Sequence, residues 1–249
     1  MLACIFHKGS GLGDQLHRYI TVKTLAQSKG RDFGVVSPGN FKGASFMNLD
    51  MGATPPEGMT QWMEKDVRDA EGDDIRSYDP EINFVKDNTL IDGYFEDDKY
   101  WRWRLGVITN WLKVEPLDIS DNTCVIGFRG GEFSTDPRLF LPLGYWNTAI
   151  DLMKSQNPHL TFEVHTDDVE RAKAFFPDFP CVHDIGTNWR SIRYARYSII
   201  ANSAFYIMPR ILAHYHNNKA FTIAPRGWAR ANIGKWARPA CYYPEFLYV

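Results

Sequence analysis

Between Ile185 and Pro244 the sequence has no aspartate or glutamate. The same stretch carries Arg190, Arg193, Arg196, Arg210, Lys219, Arg226, Arg230, Lys235 and Arg238. The lack of acid is local, because the whole chain has 28 basic and 30 acidic residues and a net charge of −2. Glu64 to Asp79 leans the other way, with Asp66, Asp69, Glu71, Asp73 and Asp74 against Lys65, Arg68 and Arg76. A near-neutral total excludes a general nucleic-acid or membrane-surface binder. A basic third inside it leaves two readings open: a local anion site, such as a seat for a diphosphate, or a solvated basic face.

Cysteine is scarce. Cys4, Cys124, Cys181 and Cys241 form no C-x-x-C pair, which argues against a zinc knuckle or a redox motif. Three of them stand in apolar, strand-like runs, where a thiol serves as a small hydrophobe. Long apolar runs are missing as well. Leu2 to Phe6 is followed at once by the polar His7-Lys8-Gly9-Ser10, too short for a signal peptide or a membrane anchor. These absences lead to the expectation of a cytosolic (cytoplasmic) protein with no integral membrane segment. No His or Cys cluster has metal-ligand spacing, so no metal is expected. Asp73-Asp74 and Asp97-Asp98 read as solvated acidic pairs.

What is present is a chain of 249 residues, enough for one large domain or two small ones. Its 8 Trp, 12 Tyr and 16 Phe suit a core, and equally a sugar cleft, where flat rings stack on sugars. Leu2–Phe6 reads as a buried strand, Gly9–Gly13 as a turn, Asp14–Ser28 as a helix stopped by Gly30, and Phe33–Ser37 as a second strand. Residues 38–88 lack clear periodicity. Leu90–Phe95 predicts a strand, and Tyr100–Leu112 an amphipathic helix with Trp101, Leu105, Ile108 and Leu112 on one face. A linker is expected over Lys113–Asn122.

Beyond it strands alternate with helices. Strands are predicted at Thr123–Phe128, Thr161–Thr166, Cys181–Ile185, Ser198–Ala201 and Ala220–Ala224. Helices are predicted at Tyr145–Lys154, Val169–Phe176, Asn188–Tyr197 and Ala204–His216. Such alternation means parallel sheets with helices on their faces. The expected organisation is therefore two α/β halves, residues 1–117 and 118–249, with a ligand in the crevice beyond the carboxyl ends of the strands.

Four strand ends could carry chemistry. Gly9-Ser10-Gly11-Leu12-Gly13 joins a strand to a helix, where backbone N–H groups could face an anion. It is not a Walker A loop, since no Gly-Lys-Ser/Thr follows, and the alternative is a tight packing turn. Ile126 to Phe133 runs an apolar strand into Arg129, two glycines and Glu132. The planar fork of an arginine suits a diphosphate, and the glycines permit close backbone approach. The alternative is a surface Arg129–Glu132 pair. Phe162 to Asp168 ends in Thr166, Asp167 and Asp168, placed either to accept from a donor's base or sugar or to cap the next helix. Ile199 to Phe205 places Asn202 and Ser203 before a helix, as an N-cap or as a phosphate seat.

In this order and spacing the motifs resemble the α-1,2-fucosyltransferases of glycosyltransferase family 11, and more widely the α-1,6- and protein O-fucosyltransferases. Gly9 to Leu16 is similar to the family's G-G-L-G-N-Q opening. Leu90 to Phe95 with Lys99-Tyr100-Trp101 is similar to its G-Y-F-Q segment, and Ile126 to Phe133 to its H-x-R-R-x-D stretch. Leu141-Pro142 with Tyr145-Trp146 and Ala149-Ile150 matches L-P-x-x-Y-Y-x-x-A-I, and Phe162 to Asp168 the strand ending in S-D-D. Ser198 to Phe205 matches I-I-A-N-S-T-F-S-W-W, and Ala224-Pro225 with Trp228 matches A-P-x-x-W.

There are departures from the pattern. The family's His is Gly127 here, its second Arg is Gly130, its Asp is Glu132, and its Trp-Trp pair is Tyr206-Ile207. Arg129 alone survives of the arginine pair that the resemblance implies grips the diphosphate.

The resemblance implies a GT-B-like α/β fold of two Rossmann-type halves with a cleft between them, the acceptor on the first half and the donor on the second. It implies transfer of a 6-deoxyhexose, fucose from GDP-fucose first, to a glycan hydroxyl with inversion. No cofactor is expected beyond the nucleotide-diphosphate sugar itself. The partners are that donor and a glycan acceptor, and the oligomeric state is open. Arg129, Glu132 and Asp14 are the candidate catalytic residues. Gly11, Gly13, Arg129, Gly131, Thr166, Asp167, Asp168, Asn202, Ser203, Ala204 and Phe205 are the candidate donor-binding set. The alternatives are another nucleotide sugar, such as a rhamnose or GlcNAc donor, and a non-catalytic glycan- or nucleotide-binding module.

Overall fold

The computed structural model describes residues 1–65, 67–68, 74–75, 77–230 and 236–249, with the backbone alone at 67–68, 74–75 and 230. The acidic side chains of Asp66, Asp69, Glu71, Asp73 and Asp74, and the basic Arg230 and Lys235, lie outside the described residues. The chain divides into two compact units, Met1–Val114 and Glu115–Val249.

The first unit opens with strand β1 (Leu2–Ile5), helix α1 (Leu12–Ser28) and strand β2 (Phe33–Val36). Leu2, Ala3 and Cys4 are all fully buried, the mark of a strand covered on both faces. Gly30 takes φ +59 behind α1, the left-handed turn that glycine adopts freely. Next come β3 (Thr60–Met63), a short antiparallel pair β4 (Val67–Arg68) and β5 (Asp74–Ile75), β6 (Thr89–Asp92) and α2 (Leu105–Trp111). The sheet has the order β2-β1-β6-β3, and every pairing is parallel. The strand order reverses between β1 and β6.

Helix α1 is buried almost all round rather than on one face, and several of its polar residues find internal partners. Gln15 donates to the Asn40 carbonyl at 2.8 Å, and Lys23 Nζ donates to Tyr19 Oη at 2.7 Å. The helix expected over Tyr100–Leu112 is broken. Two 3-10 turns, Asp98–Tyr100 and Arg102–Arg104, precede the seven-residue α2. The interruption is Trp101, at φ −143. Its ring is fully buried and its Nε1 donates to the Phe95 carbonyl at 3.2 Å, so core burial of the indole overrides the helical run.

The second unit runs β7 (Thr123–Phe128), α3 (Leu143–Gln156), β8 (Thr161–Thr166), α4 (Val169–Phe175), β9 (Cys181–Val182), α5 (Ile185–Tyr194), β10 (Tyr197–Ile200), α6 (Ala204–His216) and β11 (Phe221–Ala224). A short antiparallel pair, β12 (Ala229–Arg230) and β13 (Trp236–Ala237), and the edge strand β14 (Phe246–Tyr248) complete it. The main sheet is wholly parallel, ordered β14-β11-β10-β7-β8-β9. The first three strands build outward from β7, and the chain then returns to its other side, as in a doubly wound dinucleotide-binding sheet. The reversal lies between β7 and β10.

Phe128 anchors an aromatic cluster with Phe140, Trp146, Phe175 and Phe176 at centroid distances of 5.4–6.0 Å. Burial of rings of this size supplies several kcal/mol, at roughly 25 cal/mol per Å² of apolar surface. The strand expected at Cys181–Ile185 stops at Val182, and α5 starts earlier and ends earlier than its arginine spacing suggests. The cause is Asp184, whose carboxylate accepts from the Thr187 N–H at 2.7 Å and caps the helix there. The two edge strands β3 and β14 are not anticipated from the sequence.

Candidate functional site

Three neighbouring strands of the second unit deliver their carboxyl ends side by side: β8, β7 and β10. Ile200 pairs with Gly127 across the sheet, and Ala201 N–H extends that ladder to the Gly127 carbonyl at 2.9 Å. Arg129 therefore follows β7 by one residue, and Ser203 follows β10 by three, on the two strands that flank the reversal. Crevices of this kind at the carboxyl edge are where open α/β sheets bind ligands.

The Arg129 side chain is 26% exposed. One guanidinium nitrogen, Nη1, bonds Asp167, and Nη2 donates to Glu132 Oε1 at 2.9 Å. The cation also lies 5.2 Å from the centre of the Phe133 ring. Asp167 is itself fixed, its Oδ1 accepting from the Gly130 N–H at 2.9 Å. Among the described residues the Glu132 carboxylate is anchored by Arg129 alone, and it is 75% exposed. The arginine is thus held in place by one well-fixed carboxylate and one loosely held carboxylate.

Ser203 is the residue before α6, yet its hydroxyl makes no capping hydrogen bond. The N–H groups of Ala204 and Phe205, first in the helix, have no acceptor inside it. The backbone dipole adds partial positive charge at the same end. Ser203 is 9% exposed and Ala204 8%, so this is a nearly buried donor cluster. The remaining nominated residues have internal partners. Asp168 caps α4 by accepting from Arg171 N–H at 3.0 Å, and Thr166 Oγ1 accepts from Asp168 N–H at 2.9 Å. Asn202 Nδ2 donates to the carbonyls of Leu139 at 2.8 Å and Trp228 at 2.5 Å, tying three loops together.

Gly127 and Gly130, two of the positions that depart from the family pattern, are closed to a side chain: a β-carbon on Gly127 would lie 2.7 Å from Tyr206 Cε1. A β-carbon on Gly130 would lie 2.5 Å from Asp168 Cβ. Gly131 adopts φ +29 against the Asp167 carboxylate, a conformation that side chains rarely take.

Two arginines of the acid-free window are buried and serve the fold. Arg210 is fully buried and donates to the carbonyls of Ile192 at 2.8 Å and Ala195 at 2.7 Å and to Thr222 Oγ1 at 2.8 Å. Burial pushes its pKa down to about 9. Arg193, 5% exposed, lies over the Trp189 ring at 5.4 Å. Arg210, on α6, therefore ties the end of α5 to α6, whereas Arg193 folds over a ring of α5 itself.

In the first unit, Gly11 stands before α1 in extended conformation, and Gly13 and Asp14 lie in its first turn. A β-carbon on Gly11 would meet Asp14 Oδ2 at 3.3 Å, so that carboxylate folds back over the loop. A second group at this edge is not anticipated from the sequence. Asp92, the last residue of β6, accepts from Arg18 Nε at 2.8 Å and from Gly93 N–H at 2.9 Å with Oδ1, and its Oδ2 meets His7 Nε2 at 2.6 Å. Arg18 Nη1 also donates to Ser10 Oγ at 2.9 Å. The only signal for it in the sequence is two polar residues, each ending an apolar strand.

Two surface hollows lie elsewhere in the second unit. One of about 450 Å³ sits at the amino ends of β7 and β8, between Lys154, Phe162, Glu163 and Phe179. The other, of about 140 Å³, lies between Arg193, Tyr194, Leu212 and His216. Neither contains a nominated residue.

No protein-family model matches the chain, and no curated protein sequence matches it. Among solved structures, it is similar to Escherichia coli heptosyltransferase WaaC with ADP-2-deoxy-2-fluoro heptose. The TM-score is 0.50 at 12% identity, covering 100% of this chain and 93% of that one. Fucosyltransferase NodZ from Bradyrhizobium gives 0.48 at 14% identity over 84% and 93% of the two chains. Arabidopsis thaliana FUT1, as a mutant in complex with GDP, gives 0.49 at 11% identity over 85% and 68%. The fold is mixed α/β with parallel sheets, like that of the heptosyltransferase, and no sheet among the described residues closes into a barrel. No described helix is long and apolar enough to cross a membrane.

Proposed function

We propose that the chain is a nucleotide-sugar glycosyltransferase whose donor diphosphate sits at the carboxyl edge of the second unit's sheet. One observation carries this reading: Arg129 and the uncapped, Ser203-led start of α6 occupy the two strand ends that flank the strand-order reversal. A departing nucleoside diphosphate develops negative charge, and fixed cations and N–H groups stabilise it. Arg129, the Ser203 hydroxyl and the N–H groups of Gly131, Ala204 and Phe205 are the groups of the right kind. Asp167, already bonded to Arg129, sets the guanidinium's orientation. Glu132 yields its place on Nη2 to a phosphate oxygen.

The donor put forward is a nucleotide-diphosphate 6-deoxyhexose, GDP-fucose first, transferred with inversion to a glycan hydroxyl and without a metal ion. The ordered motifs from Gly9 to Trp228 support it. The closure of Gly127 and Gly130 favours a second reading, a transferase for another nucleotide sugar.

The test is a screen of GDP, ADP and UDP sugars for thermal shift and nucleotide release, with the bound nucleotide then located by crystallography. Nucleotide confined to residues 1–110 would overturn the assignment. Turnover abolished by EDTA and restored by Mn²⁺ would overturn the metal-free mechanism. Binding without turnover of any donor would leave a binding module.

A further inference from the structure

The diphosphate seat lies at the ends of β10 and β7, and the second unit's sheet continues beyond it to β8 and β9. Register aligns the carboxyl ends of these strands. Phe128 of β7 pairs with Thr166 of β8, and Val182, the last residue of β9, pairs with His165. His183 comes next and stands beside Thr166. Neighbouring strands lie about 4.8 Å apart, so β10 and β9 are separated by roughly 14 Å. An extended nucleoside diphosphate has a similar reach, from its terminal phosphate to the far edge of its base. With phosphates at β10 and β7, the ribose falls over β8 and the base over β9.

The end of β9 carries hydrogen-bond acceptors. His183 Nδ1 meets the Thr166 carbonyl at 3.1 Å. A carbonyl only accepts, so Nδ1 carries the hydrogen, and in the neutral ring Nε2 is an acceptor. Nε2 makes no hydrogen bond among the described residues, and the residue is exposed. Asp184 follows, also exposed. One of its oxygens accepts from the Thr187 N–H at 2.7 Å, and a carboxylate has lone pairs for further donors. Hydrogen bonds from Thr187 hold this carboxyl below the usual carboxylate range, and Arg190 and His183 are near enough to add to the effect. Ile185, 37% exposed at the start of α5, supplies an apolar surface for a ring. Capping α5 needs Asp184 alone and makes no use of the second nitrogen of His183.

Nucleobases differ on the edge that would meet these acceptors, and proteins read a base by hydrogen bonds to that edge. Guanine presents adjacent donors, its N1–H and its N2 amino group. Adenine presents an amino donor beside an acceptor nitrogen, and uracil an N–H flanked by carbonyls. Adjacent acceptors on the protein therefore match guanine, and would set lone pair against lone pair with the other bases.

We infer that the carboxyl end of β9 is the nucleobase seat of the donor site, where His183 Nε2 and the Asp184 carboxylate accept from the N1–H and the amino group of guanine. This rests on the transferase reading above and involves the second unit alone. Both are specificity residues and touch none of the reacting atoms.

The experiment titrates GDP, inosine diphosphate, ADP, UDP and inorganic pyrophosphate into the whole chain by calorimetry, beside melting curves. Wild type binds GDP about tenfold tighter than inosine diphosphate, which lacks only the amino group, as a hydrogen bond to a charged acceptor allows. ADP and UDP bind more weakly than GDP. His183→Ala weakens GDP binding by roughly threefold to tenfold, the value of one hydrogen bond, and leaves pyrophosphate affinity unchanged. Asp184→Asn keeps a side-chain oxygen to cap α5, so the melting temperature holds, while the preference for GDP over inosine diphosphate is lost. Arg129→Ala, by contrast, weakens GDP and pyrophosphate together.

Equal binding of GDP, ADP and UDP by wild type overturns the base seat and leaves the diphosphate seat standing. So does a His183→Ala protein that keeps its GDP affinity, or that loses GDP and pyrophosphate alike. A GDP complex with its base at the carboxyl end of β11 overturns it as well. A wild-type chain that binds none of these ligands removes the transferase reading and this seat with it.

Discussion

Tyr206 packs its ring where a side chain on Gly127 would go: a β-carbon there would lie 2.7 Å from Tyr206 Cε1 and 3.1 Å from Ile192 Cδ1. Gly127 is the position at which the fucosyltransferase pattern has histidine, and Tyr206 stands where it has tryptophan. Tyr206 and any side chain at 127 would therefore compete for one space at the floor of the site. Tyr206 is 3% exposed, so it has little room to withdraw.

Gly127→Ala is therefore expected to destabilise the second unit by about 1–3 kcal/mol, the usual cost of overpacking. Tyr206→Ala alone opens a cavity and costs a comparable or larger amount. The double variant should be less damaged than the sum of the two, because each change relieves the other. Urea midpoints of the four proteins read this directly. Strict additivity would mean that the two side chains do not compete for one space.

Arg129→Ala separates binding from stability. Its partners are partly exposed, and exposed ion pairs contribute about 0–1 kcal/mol, so the melting temperature should hardly move. Removing a charged partner from a partly desolvated diphosphate costs about 2–5 kcal/mol, so nucleotide affinity should fall by more than tenfold. Arg129→Lys should recover only part of it, since an ammonium lacks the fork. Glu132→Gln frees Nη2 from a competing carboxylate and should tighten nucleotide binding. Calorimetric titration with GDP, beside melting curves, tests all three. A large melting shift with unchanged affinity would reduce Arg129 to a structural tie.

Ser203 and the capping aspartates form a matched comparison. Asp168 and Asp184 each accept a helix N–H, at 3.0 and 2.7 Å, so replacing either with Ala should cost about 1 kcal/mol of stability. Ser203 makes no such bond to α6, so Ser203→Ala should cost less. If the hydroxyl meets a phosphate oxygen, the same variant should weaken GDP binding by roughly threefold to tenfold, the value of one hydrogen bond. Chemical denaturation and GDP titration of the three variants decide between cap and ligand group.

Much of this arrangement was legible in the sequence, for identifiable reasons. Thr123–Phe128 is a near-continuous apolar run, and Thr161–Thr166 sets Phe162 and Val164 alternately among polar residues just before the Asp167-Asp168 turn and a helix, so pattern and length mark both. The β3 segment Thr60–Met63 carries no such signal: it lies at the sheet edge, mostly exposed, and mixes polar and apolar residues. Trp101 fits a helical stripe by spacing, but its indole leaves that stripe for the core. Arg210 and Arg193 read as surface charge, yet backbone carbonyls and aromatic rings accept them in the interior. The His7–Asp92 pair joins residues 85 apart, and only the strand order, which periodicity does not encode, brings them together.

His17 makes stability depend on pH. It is fully buried in α1, its ring nitrogens have no hydrogen-bond partner among the described residues, and its centroid lies 6.1 Å from that of Trp101. Burial lowers its pKa to about 4 from about 6.5. Between these values the unfolded chain binds a proton that the folded chain does not, so stability rises with pH across that window. The contribution is complete above about pH 6.5 and is lost progressively as pH falls towards 4. At pH 4.5 the expected loss is roughly 2.5 kcal/mol, since each tenfold difference in proton affinity between the folded and unfolded chains is worth about 1.36 kcal/mol. His214, also lowered to about 4 by burial, acts in the same direction. His17→Leu, close in volume and unable to charge, should leave stability at pH 7 equal or higher and remove its share of the acid loss. Urea unfolding of wild type, His17→Leu and His214→Asn at pH 7 and pH 4.5 measures both shares. Parallel losses in wild type and His17→Leu would mean that the imidazole accepts its proton inside the folded protein, contrary to its dry setting against Trp101.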